Sequence, residues 1–357
     1  EPGPQDVLVQ VAATGLGPGP VIWWQHGMTQ PLPVTPGHEI AGTVASVGSA
    51  VDGVQTGDRV RVHANLTCRD CVLCSTDREP LCARASILGG LVFGPEGVEL
   101  NAPYHDGGLA EYVRVPAWLL DPLPESLPFA VAARAHDVGV ANRALKLASL
   151  EPGGVVVVLA ATGAMGAATI RLAPLFGVSR VVAVGRSRSR LERVRALDPG
   201  LVEVIALEEL PEGGAAQGVL AGAIRKLAPE GAQAVVDYLG DGRLAAAAAL
   251  GMRNGGTVVL IGAGREPLAL PTGLLMANGL RVVGSRSCTR RDAREVLELL
   301  RTGRLAIDDL VTHRMPLQDV NEAVAELTGR SEGAWLITVD VGAPAAGGPA
   351  AEEVASR

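Results

Sequence analysis

Val155-Val156-Val157-Val158-Leu159, followed by Ala160-Ala161-Thr162-Gly163-Ala164-Met165-Gly166 and then Ala167-Ala168-Thr169-Ile170, is the stretch on which the fold turns. Five apolar residues in a row, with no polar alternation, read as a strand buried on both faces, the condition of a parallel sheet covered by helices. A glycine turn and an apolar helix from Ala167 to Leu175 follow, so backbone N–H groups can approach a pyrophosphate at the positive end of the helix. The spacing is that of G-x-G-x-x-G, with Ala161 in place of the first glycine. Ala161, Thr162, Gly163, Ala164, Met165 and Gly166 are therefore the candidate phosphate cradle.

Downstream, strands and amphipathic stretches alternate. Arg180 to Val184, Leu201 to Ala206, Gln233 to Val236, Thr257 to Ile261 and Leu280 to Val283 are predicted strands, and Arg188 to Leu197 is a predicted helix. This alternation is the mark of a doubly wound α/β domain. The end of its second strand bears on the cofactor. An NAD site places Asp or Glu there to hold the ribose hydroxyls, whereas this chain reads Val184-Gly185-Arg186-Ser187-Arg188-Ser189-Arg190. Guanidinium groups suit a 2'-phosphate, because they offer a charge-assisted fork. Gly185, Arg186, Ser187 and Arg190 are thus expected to bind NADP(H), and Ile261, Gly262 and Ser285 at later strand ends complete the candidate cofactor set.

Upstream, from Val7 to Asn101, short Val-rich runs alternate with Gly, Pro and Asp turns, as in Val7 to Val11, Gly42 to Gly48 and Asp58 to Val62. Such spacing predicts a small antiparallel barrel. Within it Cys68, Cys71, Cys74 and Cys82 follow C-x2-C-x2-C-x7-C. Thiolates two residues apart in a tight loop can meet on one tetrahedral zinc, and four of them leave no open position, so the metal is expected to be structural. The same four thiols point to a reducing compartment, and the protein is expected in the cytoplasm. Cys288 stands alone and reads as a small apolar residue near a strand end.

Composition narrows the function. The chain has 357 residues, 48% hydrophobic and 19% charged, which excludes a disordered protein and makes two domains the expectation. A net charge of -7 and a pI near 5.5 argue against nucleic-acid or anionic-membrane partners, and 3% aromatic content argues against base stacking. The longest apolar stretch, Val155 to Ile170, is broken by glycines and falls short of the roughly 20 residues that span a bilayer. Glu1 opens the sequence without Met, so the expectation is that either a leader is removed or the sequence starts inside the gene product. Lysine is found only at positions 146 and 226, against 29 arginines, a bias that fits a GC-rich genome.

Several motifs together resemble a known family. Besides the cysteine lobe they are Pro36-Gly37-His38-Glu39-Ile40-Ala41-Gly42, Gly57-Asp58-Arg59-Val60, Gly107-Gly108-Leu109-Ala110-Glu111-Tyr112 and Gly255-Gly256-Thr257-Val258-Val259-Leu260-Ile261-Gly262. The chain is similar to the zinc-containing medium-chain dehydrogenases and reductases, the group of alcohol, polyol and threonine dehydrogenases. The resemblance implies a discontinuous GroES-like β-barrel catalytic domain, residues 1–149 and 290–340, with its zinc lobe at 68–82. It implies a Rossmann cofactor domain at 150–289, leaving 341–357 as a tail read as disordered. It also implies a homodimer or homotetramer paired through the Rossmann sheet edge, Pro271 to Val283.

The family's catalytic zinc does not carry over cleanly. His38 matches one ligand and Glu39 an alternative one. The first ligand, a Cys, falls on Leu16 or Gly17, and the hydroxyl residue of the proton relay on Pro18 or Gly19. The third ligand falls on Arg134 when Val138-Gly139-Val140 is matched to the polyol branch, and on His136 when Arg143-Ala144-Leu145 is matched to the alcohol branch. Trp23-Trp24-Gln25-His26-Gly27 looks like the polyol branch. Arg134 cannot ligate, since a guanidinium has no free lone pair, but His38 and Glu39 with His136 or Asp137 could still make a three-ligand site. Catalytic zinc is thus doubtful; without it Arg134, His136 or a protonated His38 must supply the electrophile.

Three functions compete on this reading. The first is an NADP(H)-dependent oxidoreductase moving hydride to or from an alcohol or carbonyl of a small polar metabolite, with specialised metabolism as its expected setting. The second reduces an activated C=C or C=N bond without catalytic zinc. The third is a nucleotide-binding protein without catalysis.

Overall fold

The computed structural model describes residues 1–28, 32–211, 218–329 and 334–342; the tail from residue 343 onward lies outside the described residues. The chain divides into two compact units, Glu1–His136 with Val311–Arg357, and Asp137–Leu310.

The first unit is built on a seven-stranded, largely antiparallel sheet. Its central strand, β1 (Asp6–Leu16), pairs with β2 (Glu39–Val47), with Tyr112–Pro116 and with the late strand Ile337–Asp340. Val7, Val9 and Val11 face the core while Leu8 and Gln10 face away, the period of two expected for a half-covered strand. From Ala13 to Leu16 that alternation stops and every residue is buried, because the short helix Phe129–Ala133 packs on β1 and β2 there. Two features of register matter for chemistry. Gly15 lies opposite Glu39 across β1 and β2. On the far side of β2, β3 (Arg59–Val62) sets Arg61 opposite Asp121 of Leu120–Pro122.

The second unit begins inside helix α1 (Ala135–Leu147). Its strands β4 (Val155–Leu159), β5 (Arg180–Gly185), β6 (Val202–Ala206), β7 (Ala232–Asp237), β8 (Met252–Leu260) and β9 (Arg281–Gly284) form one parallel sheet in the order β6-β5-β4-β7-β8-β9. This is the doubly wound order, and it reverses at β4, the strand of the opening sequence motif. Val157, Leu159, Val182, Val184, Val235 and Val258 are buried at its centre. The predicted strands are all present. Only β8 differs much, starting five residues before Thr257, with a register irregularity opposite Ala232 and a left-handed Gly255 at φ 76°.

Candidate active site

In the second unit β4 passes through Ala160, Ala161 and Thr162 into helix α2 (Ala164–Leu172), whose N-cap is Gly163. Gly166 closes this turn, because a Cβ there would fall 2.6 Å from the Ala161 carbonyl carbon, so only glycine lets the helix approach the strand. Gly163 has the opposite reason. A Cβ there meets nothing nearer than the Ala160 oxygen at 3.5 Å, which leaves backbone N–H groups open to an incoming phosphate. Ile261 and Gly262 both donate backbone N–H to the Asp237 carbonyl at 2.9 Å, and the Ser285 hydroxyl accepts from Arg143 Nε at 3.1 Å.

At the end of β5 a Cβ on Gly185 would meet Leu191 at 3.1 Å and Thr162 at 3.3 Å, and residues 184–190 themselves carry no acid. Arg186 is exposed, and the Ser187 and Ser189 hydroxyls lie 2.9 Å apart. Helix α3 (Arg188–Arg195) follows. Sequence reading missed the loop after β6. There Glu208 accepts the Arg188 backbone N–H at 2.7 Å, and Glu209 binds the Arg188 guanidinium through two contacts. Arg188 is committed to these carboxylates, which leaves Arg186 as the open guanidinium at the strand end.

In the first unit the strand ends gather a polar cluster into the interior. His38, Glu39, Arg61, His63, Asn65, Asp121, Arg134 and His136 are all buried. Arg134 Nη1 lies 3.2 Å from Glu39 Oε2 and donates to the Ile337 carbonyl at 3.3 Å, with both charged side chains fully enclosed. Gly15 makes room for the pair, since a Cβ on it would stand 2.7 Å from Glu39 Oε2. Arg61 Nη1 lies 3.0 Å from Asp121 Oδ2 and 3.4 Å from His63 Nδ1. His38 meets His136 edge to face, ring centres 4.9 Å apart, and Trp23 stacks on His38 at 5.8 Å.

Burial, then Arg134 and Arg61, bring the His38 pKa down to about 3. His136 is pushed well below its usual value by burial and then by His38, Arg61, His63 and Arg134. Both rings are therefore neutral near pH 7, which corrects the expectation of a protonated His38: two fixed guanidiniums and the lack of solvent oppose a third cation. The structure unites His38, Glu39, Arg134 and His136. It assigns Asp137 to the second unit, where the charge of Asp137 acts on the buried Tyr238 phenol.

The cysteine lobe is held in two 3-10 turns, Cys74–Thr76 and Glu79–Leu81. The four sulfurs of Cys68, Cys71, Cys74 and Cys82 all lie within 4.8 Å of one another, a spacing that fits four thiolates on one zinc. The Cys71 thiol is lowered to about 7, first by the Cys74 backbone N–H, which favours the thiolate a metal needs. Cys288 is buried among Val140, Ala293, Met165 and Ile261.

Known proteins of similar sequence and fold span most of the chain. Residues 3–125 match the model of the alcohol dehydrogenase GroES-like domain, and residues 164–302 that of zinc-binding dehydrogenases. The sorbitol dehydrogenase of Gallus gallus is 30% identical over 94% of this chain and 90% of its own length. A protein assigned as D-xylulose reductase A in Aspergillus clavatus is 29% identical over 91% and 87%. Among solved structures, the alcohol dehydrogenase of Thermus sp. ATN1 superposes with TM-score 0.80 at 28% identity, covering 96% of this chain and 94% of that one. A zinc-binding dehydrogenase of Sinorhizobium meliloti bound to NADP superposes with TM-score 0.80 at 26% identity, covering 95% and 93%.

Proposed function

The chain belongs to the zinc-containing medium-chain dehydrogenases and reductases, the family of alcohol- and polyol-dehydrogenase-like oxidoreductases, and from that premise we propose that it moves hydride between NADP(H) and an alcohol or carbonyl group of a small polar metabolite. The observation that carries the cofactor choice is the end of β5, where Gly185 and the exposed Arg186 stand in place of an acid. The cradle from Ala161 to Gly166, with Ile261, Gly262 and Ser285, would hold the dinucleotide. Arg186, Ser187 and Arg190 would meet its 2'-phosphate. When bound, the nicotinamide supplies or takes the hydride.

At His38 this chain's own contribution is electrostatic. A neutral imidazole offers an N–H to a carbonyl oxygen without handing over a proton, while burial, with Arg134 and Arg61, keeps that ring neutral. Trp23 stacks on the ring and fixes its plane. Such a donor is weaker than a Lewis acid. The enclosed Arg134 therefore favours, as a second reading, an acceptor that is already activated, such as a conjugated C=C or C=N bond. The structural zinc would sit in the cysteine lobe, and pairing of subunits would use the open β9 edge. The thiol-rich lobe supports the cytoplasm as its location. Among the described residues no helix is long and apolar enough to cross a membrane.

Titration of protein fluorescence with NADPH and with NADH tests the cofactor reading. NADPH is expected to bind at least about tenfold tighter, and Arg186→Ala to remove most of that difference while leaving NADH binding unchanged. Equal affinities in the wild-type protein would refute it.

A further inference from the structure

We infer that the Arg134 guanidinium permanently holds the place of a second metal ion, so that the chain carries one zinc, in its cysteine lobe, and none beside His38. The donors argue at first for a metal. His38, Glu39 and His136 are groups of the kind that bind divalent zinc, they converge in one buried place, and the family description is that of zinc-binding dehydrogenases.

Three observations exclude the ion. Arg134 Nη1 lies 3.2 Å from Glu39 Oε2, so although Oε1 of the same carboxylate stands 4.0 Å from His38 Nε2, its charge is already balanced by a guanidinium. A dication on Glu39 would then face a desolvated cation at close range, where low polarisability leaves the repulsion unscreened. The guanidinium also cannot swing aside. Its side chain is fully enclosed, its Nη1 donates to the Ile337 carbonyl at 3.3 Å, and a shift toward β1 is limited to the room that glycine at position 15 leaves. Finally, Leu16 and Gly17, buried at and just after the end of β1, bring no side-chain ligand to this end of the strand.

Charge balance points the same way. Arg134 with Glu39 and Arg61 with Asp121 make two buried ion pairs of zero net charge. An ion of charge two added to this interior would stay uncompensated, a condition proteins avoid at large cost. The cluster thus closes on itself without a metal, whereas the cysteine lobe, with four thiols and no enclosed cation among them, is built to need one.

Metal analysis of the purified full chain tests this independently of any catalytic reading. Mass spectrometry of protein equilibrated with excess zinc and then desalted is expected to find about one zinc per chain, and about none in Cys74→Ser. Cobalt replacement is expected to give thiolate-to-metal absorption alone. Two tightly held ions in the wild-type chain, or one that survives Cys74→Ser, would overturn the inference. Arg134→Glu exchanges the cation for a carboxylate. It is expected to raise the count to about two and to gain thermal stability on zinc addition beyond the wild-type response. Arg134→Gln, milder in shape, is expected to show a second, weaker site in the same titration. Folded variants of both kinds that still hold one ion would show that Arg134 is not what keeps the metal out.

Discussion

Arg134 and Glu39 are each tolerable in the interior only because of the other. Their attraction offsets the loss of water around two charges, so removal of one leaves an uncompensated ion, whereas removal of both does not. Glu39→Gln is expected to cost about 3–5 kcal/mol in urea unfolding, and the double variant Glu39→Gln with Arg134→Met clearly less than the sum of the single changes. Additive losses would mean that the pair is not coupled. The sequence exposed half of this arrangement. Matching the Gly-His-Glu motif pointed to His38 and Glu39, and the helix head to Arg134, but nothing in a one-dimensional pattern says that Arg134 folds back onto Glu39 rather than outward. Arg61 was harder still. Arg59-Val60-Arg61-Val62 alternates, which normally sends both arginines to solvent, yet Val60, Arg61 and Val62 are all buried because β3 is covered on both faces at that end. Its partner Asp121 lies sixty residues away in sequence, and only register makes them neighbours.

Whole elements were more legible than single contacts. β4 spans Val155–Leu159 as predicted, because a Val-rich run of five apolar residues entered from Gly153-Gly154 is too short for a buried helix and suits a strand. The loop after β6 was not legible, since Glu208 and Glu209 act on Arg188 through a turn whose partners are set by the neighbouring strand. At this scale the edge strand β9 also has a consequence. Among the described residues it pairs with β8 alone; Val282 on it is exposed, as is Met276 of the preceding helix, Thr272–Asn278. An open, apolar edge of this kind invites another copy. Sedimentation equilibrium is expected to show the pair of subunits proposed above, and Val282→Arg to shift it toward monomer with the circular dichroism unchanged. A wild-type chain that sediments as a monomer at micromolar concentration would refute this use of the edge.

For the molecule as a whole, the buried histidines set an acid limit. In the unfolded chain each titrates near the ordinary 6.5, whereas His38 in the fold titrates near 3 and His136 well below its usual value. Between those values the unfolded state binds protons that the folded state refuses, so stability is complete above pH 6.5 and is lost as the pH falls. Each histidine contributes a slope of up to about 1.4 kcal/mol per pH unit in that window. Urea midpoints measured from pH 7.5 to 4.5 are expected to fall accordingly, with a shallower slope in His38→Gln; a flat profile would show that the rings are not held neutral. The ion pair of Arg134 and Glu39 also bears on how such a centre changes over generations. A ligand residue in place of Arg134 leaves Glu39 unpaired until a metal binds, at a cost of about 3–5 kcal/mol out of the 5–15 that domains typically have. Return of a metal to such a centre thus asks for a ligand at position 134 and for the ion together, since without the ion a carboxylate beside Glu39 is a second unpaired buried charge.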